Sequence, residues 1–385
     1  MAAVIKRPAE EHALKKLISE FPVTALLGPR QCGKTTLASG LGADHYFDLE
    51  DPRAARQMDD PLLALEALRG LIVIDEFQRR PELFPVLRSL VDRKLGQRYL
   101  ILGSASRELL RQSSESLAGR IAYYELAGLR VSDFTSDVVP RLWLRGGLPP
   151  AVTARTEESS LRWRANYLRS FLERDLPQLG IPIPATTMRR FWEMLSHYHG
   201  QLLNFSELGR SFGVSDATAR RWTDILESAL MIRLLPPWRV NMGKRLVKSP
   251  KLYVRDSGLF HALQSIESRR QLLAHNRLGA SWEGFVVEEI SKAVRPEAMY
   301  FWRTHNGAEL DLLWRKGGRN WGAEVKWASA PQLTPSIKIA SKDLELSHLW
   351  VVYPGTGTYR LSADVTVLPM SSVRDPWPYP SPRRK

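Results

Sequence analysis

The sequence is poor in cysteine and has no long apolar run. Cys32 is the single cysteine among 385 residues, which excludes an internal disulfide and fits a reducing compartment. No stretch approaches the roughly 18–20 consecutive apolar residues of a membrane-spanning helix. The N-terminal segment carries acidic residues where a signal peptide would be apolar. We therefore expect a soluble, cytoplasmic protein with no membrane partner.

Charge is distributed unevenly along the chain. Residues 1–150 contain 21 basic and 19 acidic residues, whereas residues 151–385 contain 34 and 22, so most of the net charge of +14 lies in the second part. An excess of Lys and Arg favours a polyanionic partner, because neutralising phosphates releases counterions. DNA is the expected partner. A membrane surface, the ribosome and an ordinary basic surface are the alternatives.

A glycine-rich loop stands near the N-terminus. Residues 28–35 read GPRQCGKT and match G-x-x-x-x-G-K-[ST]. Apolar residues 23–27 predict a buried strand before the loop, and Lys34 should open a helix whose N-terminus favours anions. Lys34 would reach the outer phosphates of ATP, while the Thr35 hydroxyl would bind Mg²⁺. The predicted nucleotide-binding residues are Gly28, Pro29, Arg30, Gln31, Cys32, Gly33, Lys34, Thr35 and Thr36.

A second motif, LIVIDEFQ at residues 71–78, predicts a strand buried on both faces that ends in two carboxylates. Asp75 is placed to bind Mg²⁺, and Glu76 to polarise the water that attacks the terminal phosphate. Cys32, inside the glycine-rich loop, is either a redox-sensitive position or simply a small side chain.

Two more predicted strands, 99–102 and 121–126, carry further candidates. Ser104, with Ser106 as the next choice, follows the first strand and is expected to sense the terminal phosphate. Arg120 precedes the second strand. It is either a finger presented to the neighbouring subunit of a homo-oligomer, such as a ring, or part of a local salt bridge.

The middle of the chain predicts a helix-turn-helix. Ser206 is expected to cap a first helix (207–211), Gly213 to make the turn, and Ser215 to cap a second helix from residue 216 to about 230, followed by a strand. This order resembles winged-helix domains, which serve either DNA binding or protein packing. The DNA-binding candidates are Thr218, Arg220, Arg221, Lys244 and Arg245, and Arg233, Arg239, Lys248 and Lys251 extend the basic character toward phosphate contact.

Two strand-like segments near the C-terminus, 307–314 and 321–327, predict a hairpin. Residues two apart share one face of a strand, so Glu309 and Asp311 project together, as do Glu324 and Lys326. Mg²⁺ could bind to Asp311, Glu324 and the Val325 carbonyl, with Lys326 activating water. Ordinary cross-strand charges are the alternative.

This pattern resembles the PD-(D/E)xK nuclease superfamily. The separation of 13 residues between Asp311 and Glu324 is typical of it, whereas Leu310 stands where proline is usual. The resemblance implies a helical glutamate upstream, for which WEGFVVEEI offers Glu283, with Glu288 as the alternative.

The order of motifs resembles a bacterial and archaeal family of AAA-type ATPases that carry a C-terminal domain of unknown function. The matching segments are GPRQCGKTT, FDLEDP (47–52), LIVIDEFQ, LAGRI (117–121), the helix-turn-helix, and WEGFVVEEI with AELDLLW and AEVKW. The expected fold class is α/β, with a P-loop ATPase domain (1–140), a helical linker and winged helix (141–255), a nuclease-like domain (256–370) and a disordered tail (371–385).

Two functions fit these expectations. The first is an oligomeric, ATP-hydrolysing motor that remodels DNA, such as a four-way junction, with Mg²⁺-dependent cleavage as a second activity. The second is an ATP-controlled regulator that binds DNA or protein without cutting.

Overall fold

The computed structural model describes residues 5–103, 115–135, 137–178, 181, 183–238, 248–374 and 377–380. Its contacts divide the chain into two compact units. The first comprises residues 1–129 together with 228–230, and the second comprises residues 130–227 and 231–385.

The first unit is built on a parallel β-sheet with helices between its strands. Its described strands are β1 (Val23–Leu27), β2 (His45–Asp48), β3 (Leu71–Asp75), β4 (Arg98–Gly103) and β5 (Ile121–Glu125). Its described helices are α1 (Pro8–Glu20), α2 (Lys34–Ser39), α3 (Pro52–Gln57), α4 (Pro61–Glu66) and α5 (Leu83–Asp92). The predicted strand 23–27 is confirmed to the residue, and the strand predicted in the motif at residues 71–78 is β3, which ends at Asp75.

The strand order is β2-β3-β4-β1-β5, and every pairing is parallel. β1 and β3 are therefore separated by β4. All five residues of β1 are buried, as are Ile72, Val73 and Ile74 of β3, because helices cover both faces of a parallel sheet. The loops after β1 and β3 leave the same edge of the sheet, which brings Gly28 and Asp75 to one site.

The second unit begins with helices and a small sheet. Its described helices are α6 (Val139–Arg145), α7 (Pro149–Val152), α8 (Glu157–Ser170), α9 (Leu176–Gln178), α10 (Ala185–Ser196), α11 (Phe205–Phe212), α12 (Asp216–Ser228), α13 (Ser257–Leu263), α14 (Arg269–Ala274), α15 (Leu278–Val294) and α16 (Pro335–Asp343). A π-helical turn joins α8 to α9. The strands β6 (Gln201–Leu202), β7 (Ile232–Leu235) and β8 (Lys251–Val254) form an antiparallel sheet in the order β6-β8-β7.

The helix-turn-helix is formed by α11 and α12. Gly213 adopts φ 74°, the left-handed conformation required at the turn, and the Ser215 hydroxyl accepts the amide of Thr218. The predicted cap of the first helix is wrong. Asn204 is the cap, because its side-chain oxygen accepts the amides of Ser206 and Glu207, so the helix begins two residues earlier than predicted.

A six-stranded mixed sheet forms the rest of the second unit. Its strands are β9 (Met299–Arg303), β10 (Glu309–Lys316), β11 (Arg319–Val325), β12 (Leu346–Tyr353), β13 (Tyr359–Ser362) and β14 (Val365–Pro369), in the order β13-β14-β12-β11-β10-β9. The predicted hairpin is confirmed: β10 pairs antiparallel with β11, and both Gly317 and Gly318 of the turn have positive φ. β12 then pairs parallel with β11 after the crossover helix α16.

Helix α15 contacts both β10 and β11. Gly284 of this helix also allows the helix to approach His199 closely. A Cβ at Gly284 would lie 2.2 Å from the His199 ring, whose Nδ1 accepts the Val254 amide at 2.9 Å. The absence of a side chain at Gly284 thus lets α15 lie against the small sheet. This packing places the preceding residue, Glu283, beside β8.

Part of the C-terminal segment, for which disorder was predicted, packs against aromatic residues of the second unit. Trp377 is 4% exposed and its ring contacts those of Trp314 and Trp350, while the Trp314 indole donates to the Tyr379 hydroxyl at 3.0 Å. Aromatic burial holds these residues although the segment is rich in proline. Residues 381–385 lie outside the described part.

All 12 tryptophans of the sequence fall between residues 143 and 377, and therefore belong to the second unit.

Among the described residues, no helix is both long and apolar enough to span a bilayer.

Candidate functional site

The glycine-rich loop joins β1 to α2 and is shaped by two glycines. A Cβ at Gly28 would lie 2.4 Å from the Leu126 carbonyl oxygen, and Gly33 adopts φ 102° immediately before the helix. Neither position accepts a side chain without strain. The helix begins at Lys34 as predicted, so the amides of its first turn face the loop.

Lys34 and Thr35 connect this loop to β3. The Lys34 ammonium donates to the carbonyls of Gly28 and Pro29 at 2.9 and 3.0 Å, and the Thr35 hydroxyl donates to Asp75 Oδ2 at 2.8 Å. The structure therefore brings the predicted phosphate-binding lysine and both predicted Mg²⁺ ligands to one place.

The other loop residues differ in exposure. Gln31 and Thr36 are exposed, Pro29 and Arg30 are half-buried, and Cys32 is fully buried. Burial raises the pKa of the Cys32 thiol, although nearby Lys34 and Arg7 oppose the effect. A buried thiol with a raised pKa is a poor nucleophile, which favours the interpretation of Cys32 as a small packing residue.

Tyr46 is a contact of Asp75 that sequence reasoning missed. Its hydroxyl, on β2, donates to Asp75 Oδ2 at 2.7 Å. Burial, together with the neighbouring Asp75 carboxylate, raises the pKa of Tyr46. The phenol therefore stays protonated and acts as a donor. The only available signal was its place in the sequence immediately before FDLEDP.

Glu76 follows Asp75 in a left-handed conformation, with φ 54° and ψ 40°. Its carboxylate accepts from the Gln78 amide within the short helical turn that follows. The two carboxylates therefore have different partners: Asp75 accepts a hydrogen bond from Thr35, whereas Glu76 accepts one from Gln78.

Of the candidate residues predicted after β4 and before β5, only Arg120 lies in the described part of the chain. Ser104 and Ser106 lie outside the described residues, and β4 ends at Gly103 between β1 and β3. The Arg120 guanidinium pairs with Asp92, with Nε to Oδ1 at 2.7 Å, and donates to the Ala118 carbonyl. Since β1 and β5 are parallel and Arg120 precedes β5, it lies at the sheet edge opposite the glycine-rich loop. The local salt bridge is the arrangement observed.

The loop residues fit a nucleoside triphosphate with Mg²⁺. Gly28 lies too close to the Leu126 carbonyl for a side chain, Gly33 adopts φ 102°, and the Thr35 hydroxyl and Asp75 carboxylate supply hard oxygen ligands beside this loop. Lys34, Thr35 and Asp75 would hold the phosphates and the ion.

A second site is an open cleft of about 750 Å³ in the second unit. Its lining includes four carboxylates and two lysines: Glu283, Glu309, Asp311, Glu324, Lys251 and Lys326. Glu309 and Asp311 come from β10, Glu324 from β11, Glu283 from α15 and Lys251 from β8. The structure thus brings together all the predicted cleavage residues.

Glu324 and Lys326 form the open side of this cluster. The Lys326 ammonium lies 2.7 Å from Glu324 Oε1, whereas Oε2 of Glu324 is buried and accepts from no described residue. Burial and the neighbouring Asp311 raise the pKa of Glu324 to about 8. Asp311 Oδ2 accepts the Val325 amide at 2.9 Å, which fixes the two carboxylates side by side across the hairpin.

Lys251 occupies the other side of the cluster. Its ammonium lies 3.0 Å from Glu283 Oε1 and 3.4 Å from Asp311 Oδ1, and it also contacts Glu309. Tyr253 donates to Glu283 Oε1 at 2.6 Å. The prediction that Lys251 contacts phosphate is wrong, because this residue is 3% exposed and surrounded by carboxylates.

The structure selects Glu283 over Glu288 as the helical glutamate of the cleft. Glu288 pairs instead with Arg233 and Arg255, whose charges lower its pKa to about 2 although burial opposes the effect. Arg233 is therefore a structural partner rather than the predicted phosphate contact. Burial and Asp311 raise the pKa of Glu283 to about 7.

The cleft fits one hard cation. Glu324 Oε2 is a buried oxygen beside Asp311 to which no described residue donates, and carboxylates are preferred ligands of Mg²⁺. Within the described part of the chain, however, no three His, Cys, Asp or Glu side chains form a ready metal site. The Lys251 ammonium stands among the remaining carboxylates.

The DNA-binding candidates of α12 have different environments. Thr218 is half-buried and its hydroxyl contacts that of Ser215, the guanidinium of Arg220 lies 4.1 Å from the Phe205 ring centre, and Arg221 is exposed. Lys244, Arg245 and Arg239 lie outside the described residues. Ala219, Thr223 and Leu226 bury the opposite face of the helix.

Three segments of the chain match known families. Residues 20–135 match an AAA domain, residues 136–270 a domain of unknown function (DUF8612), and residues 278–373 a second domain of unknown function (DUF4143). The chain is 50% identical to Uncharacterized protein Rv2008c of Mycobacterium tuberculosis over an alignment of 374 residues. This alignment covers 96% of the present chain and 85% of the mycobacterial protein. Uncharacterized protein Mb2031c of Mycobacterium bovis gives the same values. The chain belongs to the family of these two mycobacterial proteins.

In this family member, the AAA match coincides with the loop geometry described above, so its first unit contains a P-loop ATPase domain. A solved structure, the Walker-type ATPase PABY2304 of Pyrococcus abyssi, can be superposed on this chain with a TM-score of 0.44 and 14% sequence identity. The superposition covers 68% of this chain and 96% of the Pyrococcus chain.

Proposed function

We propose that the protein hydrolyses ATP in its first unit and couples the turnover to binding and remodelling of DNA, including branched DNA. The hydrogen bond between Thr35 and Asp75 at the end of the P-loop carries the first part of this proposal. Bound Mg²⁺ would neutralise charge on the outer phosphates. Lys34 would contact those phosphates, and Glu76, once released from Gln78, would orient the attacking water.

Hydrolysis is tested with Lys34→Ala and a matched control, Lys16→Ala, which removes an exposed lysine of α1. Phosphate release should vanish in the first variant and stay unchanged in the second, because Lys34 contacts the loop whereas Lys16 is exposed on α1. Equal turnover in Lys34→Ala and wild type would refute the assignment.

The DNA part of the proposal is supported by the basic excess of residues 151–385 and by the helix-turn-helix, on which Arg221 is exposed. ATPase activity measured with duplex, single-stranded and junction DNA tests it, since stimulation by one form identifies the substrate class. Binding should also weaken steeply with salt if several phosphates are neutralised. Salt-independent binding would instead indicate a protein partner.

We further propose that the cleft of the second unit cleaves phosphodiesters with Mg²⁺. Asp311 and Glu324 would hold the ion, which when bound supplies Lewis-acid activation of water and phosphate. Lys326 is placed to position the attacking water, because its ammonium is half-exposed beside Glu324. Lys326→Ala should abolish nicking of DNA, whereas Lys338→Ala, at an exposed position of α16, should not.

A regulator without nuclease activity is the second candidate. The buried ammonium of Lys251 favours it, because three of the four carboxylates already contact this one cation. Equal nicking by wild type and Lys326→Ala would favour this function, in which ATP controls assembly or affinity.

A further inference from the structure

Lys251 is the least expected member of the carboxylate cluster. It begins β8, where its backbone pairs with Leu202 of β6 and Leu235 of β7, and only 4% of its side chain is exposed. Its ammonium contacts an oxygen of Glu283, of Glu309 and of Asp311. One cation thus satisfies carboxylates contributed by α15 and β10.

The charge of this lysine is maintained by its neighbours. Three carboxylates contact the buried ammonium, and their negative charges favour its charged form. An ammonium surrounded in this way has the same electrostatic role as a bound metal ion, with oxygen atoms on several sides. Its covalent attachment to β8 keeps it there permanently.

The two sides of the cluster are therefore different. Glu283 and Glu309 face the Lys251 ammonium, whereas Glu324 has a buried oxygen without a partner among the described residues. Asp311 lies between them, with Oδ1 toward Lys251 and Oδ2 toward the Val325 amide. Two-metal nucleases place their ions about 3.5–4 Å apart, and here a lysine fills one side.

We propose that the Lys251 ammonium permanently takes the place of one divalent cation, so that the cleft accepts a single divalent ion, at Asp311 and Glu324. This inference rests on the proposed metal-dependent cleft but concerns the number of ions rather than cleavage. Lys251 is a positioning residue, because it acts on the carboxylates and touches no substrate in this scheme.

The experiment counts Mn²⁺ ions bound to nucleotide-free protein by electron paramagnetic resonance of the free ion. An Asp311→Asn/Glu283→Gln double variant provides the blank, so that ions bound elsewhere are subtracted. Wild type should bind one ion above the blank. Lys251→Met should bind one ion more than wild type, because Glu283 and Glu309 lose the buried Lys251 ammonium.

Two further variants act as controls. Lys251→Arg keeps the charge and should retain the wild-type number, and Lys338→Met removes an exposed lysine outside the cleft. Two cleft ions in wild type, or an unchanged number in a folded Lys251→Met, would overturn the proposal. If Lys251→Met does not fold, the wild-type and Lys251→Arg counts still decide, since either count above one overturns it.

The outcomes also separate this inference from the proposed nuclease function. No ion in wild type would overturn both this inference and the metal-dependent cleavage, whereas two ions in wild type would overturn this inference alone. One ion in wild type without any nicking would leave the inference intact and favour the regulator.

Discussion

Replacing Glu324 by glutamine should stabilise the second unit at high pH. Glu324 is 5% exposed, and burial with the nearby Asp311 raises its pKa from an ordinary 4.5 to about 8. Between these two values the unfolded chain releases the proton while the folded chain keeps it. Stability is therefore lost as pH rises from 4.5 to 8, and a glutamine, which does not titrate, avoids this loss.

The magnitude follows from the same interval. Each pH unit corresponds to about 1.4 kcal/mol, so the interval gives an upper limit of roughly 5 kcal/mol. Relaxation and water penetration reduce such values in real proteins. We expect the advantage of Glu324→Gln over wild type to grow by roughly 2–3 kcal/mol between pH 5 and pH 8.5.

Tryptophan fluorescence makes this measurement selective. Because all 12 tryptophans belong to the second unit, urea unfolding followed by their emission reports on that unit alone. The buffers should contain a chelator, since a bound cation would stabilise the ionised carboxylate. Glu297→Gln, at an exposed position, is the matched control.

A constant difference in unfolding free energy between Glu324→Gln and wild type across this pH range would refute the reasoning. So would a parallel growth in Glu297→Gln, because the effect would then not depend on burial. Addition of Mg²⁺ at pH 8.5 should reduce the advantage of the variant, since the ion compensates the buried charge of wild type.

Of three other predictions, one concerns the first unit and two concern the second. Lys34→Ala should abolish ATP hydrolysis, measured by phosphate release, without changing the unfolding followed by tryptophan emission, because the P-loop lies in the first unit. Arg233→Met should destabilise the second unit by about 3 kcal/mol in urea, since it leaves the buried Glu288 with Arg255 as its remaining partner. Burial lowers the pKa of His199 and of His261 to about 3, so the folded unit keeps both neutral while the unfolded chain takes up protons below pH 6.5. Stability should fall by up to about 1.4 kcal/mol per pH unit per histidine between pH 6.5 and pH 4, and replacing His261 by Gln should reduce that slope.

Local patterns predicted much of the first unit. Strand 23–27 has its predicted bounds, and β3 lies in the predicted motif and ends at Asp75, because these mainly apolar runs are buried in the sheet. The helix begins at Lys34 because a glycine in a left-handed conformation precedes it. The hairpin at residues 309–325 was predictable for a similar reason, since alternating residues and two glycines specify it. These features depend on neighbours in sequence.

The features that were missed depend on distant contacts. Lys251 meets Glu309 and Asp311 across about 60 residues of chain, and nothing in its own segment distinguishes it from a solvated lysine. Tyr46 meets Asp75 only because β2 lies beside β3. The packing of Trp377 against Trp314 and Trp350 is likewise a distant contact, which the proline-rich composition of its segment does not suggest.

The buried thiol of Cys32 can serve as an intrinsic probe of P-loop opening. The chain has no other thiol, so a thiol-reactive dye can label it only at this position and only while the P-loop is transiently open. The labelling rate therefore measures the opening frequency of the loop in unmodified protein. Slower labelling in the presence of ATP would report nucleotide occupancy directly, with no need for hydrolysis.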